Sequence, residues 1–144
     1  MPSSDGSTGT DDGTDVERMA IRDRKRRELE QRIAASTQGE PIFVDGDAHF
    51  AELRSQHRLV LVDFYADWCG PCKMLDPIVS EVAADSPAVV AKVDVDRHQS
   101  IAASVGVRGV PTLVLYVDGE AAERLVGVQD KARILDLIDR HSCA

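Results

Sequence analysis

The chain has 144 residues, room for one domain with a real core and too little for two ordinary ones. Seventeen basic residues stand against 25 acidic ones, and the formal net charge of −8 argues against non-specific nucleic-acid binding, because phosphate repels it. No stretch approaches the roughly 18 consecutive apolar residues of a membrane helix. Met1-Pro2-Ser3-Ser4-Asp5 has neither the basic nor the apolar region of a secretory signal, so no membrane contact and a cytoplasmic location are expected.

Residues 1–13 are almost all Ser, Thr, Gly and Asp. They bury too little to offset ordering entropy and are expected to be a disordered acidic tail. Residues 14–39 read as a charged helix or linker. Thr14 and Glu17 have capping-box spacing, and Asp23 with Arg27 and Glu28 with Arg32 are i,i+4 pairs. Residues 16–35 hold seven basic and four acidic side chains, so a docking arm for an acidic partner stands beside the plainer reading of a solvated helix. The acidic excess of the whole chain also suits a protein that stays soluble at high salt, where self-repulsion is screened. Unfolding at low and at molar salt tests that point: no gain in stability with salt removes the idea.

The compact domain is expected over 40–144. Pro41–Val44 is a short strand and Asp45–Arg58 a helix with Phe50 and Leu53 inward. Leu59 to Tyr65 is a nearly continuous apolar run, the pattern of a central strand covered on both faces. Cys69–Asp85 is a helix with Leu75, Ile78, Val79 and Val82 at helical spacing and a kink expected at Pro77. Val89–Val95 is a strand, Ser100–Val105 a short helix and Thr112–Val117 a strand. Asp118-Gly119 is a two-residue hairpin turn leading to a strand at Glu123–Val128. Asp130–His141 closes the chain as a helix with Leu135 and Ile138 inward. The order β-α-β-α-β-α-β-β-α predicts an α/β fold, a mixed central sheet with a parallel core, an antiparallel edge and helices on both faces.

Three cysteines cannot make a disulfide framework. Cys69 and Cys72 form a Cys-x-x-Cys pair that follows the central strand and opens a helix. A thiol there meets the positive end of the helix dipole and unpaired backbone N–H groups, and both favour the nucleophilic thiolate. Gly70 leaves the approach open, and Pro71 fits the first turn, where its missing N–H is not needed. The same spacing is half of a zinc site, but a second Cys pair is lacking and His49, His57, His98 and His141 are scattered. Neither a metal nor another cofactor is expected. Cys143 stands outside the pair; an inert thiol and an intermolecular disulfide both fit it.

The run Val62-Asp63-Phe64-Tyr65-Ala66-Asp67-Trp68-Cys69-Gly70-Pro71-Cys72-Lys73 is followed by Lys92-Val93-Asp94-Val95-Asp96, Gly109-Val110-Pro111-Thr112, Asp118-Gly119 and Val126-Gly127. With these five features in this order, residues 41–141 resemble the thioredoxin family. The resemblance implies a thioredoxin-like fold and a protein-disulfide reductase. Cys69 is then the attacking sulfur, Cys72 the resolving one, and a thioredoxin reductase the electron donor for a monomer that reduces disulfide-containing proteins. Gly70 and Pro71 resemble the reducing members. Trp68, Gly70, Pro71, Val110, Pro111 and Gly127 are expected to form a flat apolar surface for substrate, with Pro111 in a cis peptide. Packing alone is the plainer reading of Trp68 and Val110.

Asp63 interrupts a run that is buried, and burial of an unpaired carboxylate raises its pKa. Near the cysteines it would accept the Cys72 proton; a strand-end Asp with a satisfied hydrogen bond is the plainer alternative. The resemblance favours the first and places Lys92 near that carboxylate, although a snorkelling strand lysine also fits. Two competing functions remain: a thiol oxidase or isomerase of the same fold, and a partner-binding module that uses the N-terminal arm.

Overall fold

The computed structural model describes residues 39–142; the expectations for the tail at 1–13, for nearly all of the 14–39 extension and for Cys143 lie outside them. The elements are β1 (Ile42–Phe43), α1 (Asp47–Gln56), β2 (Leu59–Tyr65), α2 (Gly70–Asp85), β3 (Val89–Asp94), α3 (Gln99–Val105), β4 (Thr112–Val117), β5 (Glu120–Val126) and α4 (Lys131–Ser142). They build a mixed five-stranded sheet in the order β1-β3-β2-β4-β5. β3 runs parallel to β1 and β2; β4 runs antiparallel to β2 and β5. The predicted element order and fold class are those observed.

β2 sits at the centre, and strand alternation divides its side chains between two cores. Leu59 and Leu61 pack with Leu75, Val79 and Val82 of α2 and with Ile134 and Ile138 of α4. Val60, Val62 and Phe64 pack with Phe50 and Leu53 of α1 and Ile101 of α3. Phe50 meets Phe64 and Tyr116 edge-on, at 6.5 and 5.7 Å between centroids. Each fully buried aliphatic or aromatic side chain adds about 1.5–3 kcal/mol, so few aromatics are needed.

Three local expectations change, in α4, β5 and β1. α4 buries Ile134, Leu137 and Ile138, while Leu135 is only half-buried, because the i, i+3, i+4 stripe is set by where the helix starts. β5 begins at Glu120, not Glu123, directly after the turn, in which Asp118 (φ 52°) and Gly119 (φ 85°) both take the left-handed conformation of a type I′ hairpin. Its residues are exposed or half-exposed, as befits a charged edge strand. β1 shrinks to Ile42–Phe43. α2 runs without a break through Pro77.

Candidate active site

The site lies where β2 ends and α2 begins, and the sequence order alone brings its parts together. Cys69 is the N-cap of α2, and its Sγ accepts a hydrogen bond from the backbone N–H of Cys72 at 3.1 Å. Cys69 and Cys72 are joined by a disulfide across Cα atoms 5.3 Å apart, inside the usual span for such a bridge. Both sulfur-bearing residues are buried and pack with Ala66, Tyr65, Val95 and Val110. Gly70 and Pro71, between them, are exposed. Among the described residues no group of three or more His, Cys, Asp or Glu is placed to hold a metal ion.

Trp68 is 71% exposed beside the pair. Its Nε1–H donates to Asp96 Oδ2 at 2.8 Å, which fixes the ring against the loop after β3. That loop is held in turn by Asp94, whose Oδ1 accepts from the Asp96 backbone N–H at 3.0 Å. Val110–Pro111 is a cis peptide. The Gly127 N–H donates to the Pro111 carbonyl at 2.9 Å, with Gly127 at φ 89°, a conformation that favours glycine. Val110 and Gly127 are half-buried and Pro111 is buried. The apolar surface expected around the pair is therefore discontinuous: Trp68, Gly70 and Pro71 stand out on it, while the Pro111 ring is packed beneath.

Below the cysteines lies charge. Asp63 is 1% exposed on the α2-facing side of β2, and among the described residues its Oδ1 has no hydrogen-bond partner. Burial pushes its carboxyl up to about 7; the Lys92 charge opposes this, and the Asp76 charge adds to it. Lys92 is Asp63's register partner on β3 and is buried too. Its ammonium forms an ion pair with Asp76 of α2 and sits over the Tyr65 ring at 4.7 Å. An open cleft of about 280 Å³, walled by Phe43, Tyr65, Cys72, Asp76 and Lys92 among others, reaches this group from solvent.

Sequence reasoning missed Asp76 and the support that Asp96 gives Trp68. Asp76 was findable by one signal: it follows Cys72 by four residues on a helix, so both lie on one face.

The comparisons with known proteins agree with this geometry. A family model described as Thioredoxin matches residues 40–140. The thioredoxin of Chlamydia caviae is 46% identical over 85 residues, covering 58% of this chain and 83% of that protein. That of Staphylococcus haemolyticus is 42% identical over 97 residues, covering 66% and 92%. Among solved structures, a mutant thioredoxin from Halobacterium salinarum superposes with a TM-score of 0.73 at 48% identity, covering 75% of this chain and 96% of that one. Schistosoma mansoni thioredoxin gives 0.66 at 33% identity, covering 72% and 97%.

Proposed function

This chain belongs to the thioredoxin family and is a dithiol–disulfide oxidoreductase; from that premise we propose that it works as a reductase of protein disulfides, with Cys69 attacking and Cys72 resolving. The observation that carries the assignment is the position of Cys69 as the N-cap of α2 beside the exposed Gly70-Pro71. Unpaired N–H groups and the helix dipole stabilise a thiolate on the reduced Cys69.

The Cys69 thiolate attacks one sulfur of the substrate disulfide. A mixed disulfide forms, and the second substrate sulfur leaves as a thiolate, which takes a proton from water. The Cys72 thiol then gives its proton to the Asp63 carboxylate, and its sulfur attacks Cys69. The Cys69–Cys72 bond forms and the first substrate sulfur departs. Two electrons have passed to the substrate, and a dithiol donor, a thioredoxin reductase, returns two to reopen the bond. Trp68, Val110, Pro111 and Gly127 bound the place where an extended substrate segment lies; Gly70 and Pro71 keep it open and tune the pair. Lys92 acts on the charge of Asp63.

The setting we favour is a cytoplasmic monomer that maintains thiol balance. No described helix is long and apolar enough to cross a membrane.

Insulin reduction tests the reading. Cys69→Ser abolishes turnover, and Cys72→Ser accumulates a mixed disulfide on Cys69. Wild-type reduction by Cys69→Ser would overturn it.

A further inference from the structure

Lys92 stands beside Asp63 in the parallel register of β2 and β3. Two buried, opposite charges in adjacent strands on one sheet face would ordinarily meet. Here they do not close on each other: the Lys92 ammonium is taken by Asp76 from α2, and Asp63 Oδ1 remains without a hydrogen-bond partner among the described residues. Asp76 is half-exposed, with a side chain 52% accessible against 8% for Lys92, so the lysine is drawn toward the mouth of the cleft. The rings of Tyr65 and Phe43, 4.7 and 5.4 Å from Nζ, flank it there.

We propose that Asp76 is a positioning residue for the second step of exchange: it holds the Lys92 ammonium at the cleft mouth, so that Asp63 keeps no direct counter-ion and stays available as a proton acceptor. The inference rests on the reading of Asp63 given above. The charged and titratable groups that bear on Asp63 are Lys92 of β3, Asp76 of α2 and Tyr65, two residues along its own strand. Cys72 precedes Asp76 by one turn of α2, and β4 contributes only Leu113 as register partner. With Asp76 present, one negative charge stands near Asp63 and the one nearby positive charge is engaged elsewhere. The Asp76 charge opposes ionisation, in the same direction as burial, while Lys92, held by Asp76, favours it only through its charge and not through a direct pair. Loss of the Asp76 charge releases Lys92 toward its register partner, the buried Asp63; the other buried carboxylate on that face of β3, Asp94, already accepts from the Asp96 and Arg97 backbone N–H groups. A direct Lys92–Asp63 pair would ionise Asp63 at lower pH and weaken it as a base toward the Cys72 thiol.

The test uses the full chain, with the Asp63 carboxyl carbon followed by NMR against pH in the oxidised protein. The decay of a preformed mixed disulfide is followed over the same pH range in the reduced cycle. In Asp76→Asn, which keeps shape and removes charge, the Asp63 midpoint falls by about one pH unit, and the pH profile of mixed-disulfide decay moves with it. Asp76→Glu, which keeps the charge, restores both. An Asp63 midpoint unmoved in Asp76→Asn would overturn the role of Asp76. A midpoint that moves while the decay profile stays in place would overturn its assignment to the second step and trace the failure to the reading of Asp63.

Discussion

On one face of the sheet Val60, Val62 and Phe64 of β2 meet Phe50, Leu53 and Ile101 in a hydrophobic cluster, with the Thr112 hydroxyl bonded to the Gly109 carbonyl and the Arg54 guanidinium over the Phe50 and Tyr116 rings at its margin. On the other face Leu59 and Leu61 begin a similar core, but the strand then presents Asp63, and its neighbour β3 follows Val90 with Lys92. On the proposed role of Asp63, the same two strands serve stability on one side and chemistry on the other. Alternation makes this possible, because a residue changed on one face leaves the other face's packing untouched. The chemistry is also confined to the end of β2 that meets α2, so the apolar part of the second face still anchors the helix that carries the cysteines.

That contrast is open to attack from both sides. Phe50→Ala empties a site on the face away from the cysteines and costs about 3–5 kcal/mol by denaturant unfolding, while disulfide reduction per folded molecule stays at the wild-type level. A parallel collapse of the exchange chemistry in the folded variant would break the separation of the faces.

Asp63→Asn has the opposite signature. The folded-state pKa of about 7 lies above the ordinary 3.8, so the folded protein holds a proton that the unfolded chain has released. The stability tied to that proton is present below about pH 4 and is lost as pH rises toward and through 7. Replacement by Asn removes the loss, and the variant gains up to about 4 kcal/mol above pH 7 and nothing below pH 4. At the same time the resolving step slows by about 10²-fold at neutral pH. A variant that is neither more stable at pH 8 nor slower would show Asp63 to be an ordinary strand residue.

Much of this was legible in the residues themselves. The apolar run Leu59–Phe64 marked the central strand, and the single acid inside it marked the interruption. The Trp68–Lys73 run fixed the helix start and with it the place of Cys69. Where the reading fell short, the cause was tertiary. Glu120, Ala121 and Ala122 have little strand propensity; pairing with β4 across the Asp118-Gly119 turn makes them strand. In α4, Leu135 and Leu137 look alike in sequence, and only the phase of the helix against β2 and α2 decides that Leu137 is the buried one. The Asp76–Lys92 pair joins residues 16 positions apart through a helix-on-sheet contact, and no local pattern announces which of two acids a buried lysine will take. The burial of Pro111 likewise follows from its neighbours, not from its motif.

The account depends most on the first sulfur. In the reduced full chain, the rate of alkylation by iodoacetamide, followed against pH with the modified residue mapped, reports its ionisation directly. The account predicts that, of the Cys69–Cys72 pair, only Cys69 is modified, with a midpoint clearly below the ordinary thiol value of about 8.5; equal modification of Cys69 and Cys72 with a midpoint at that ordinary value would contradict it.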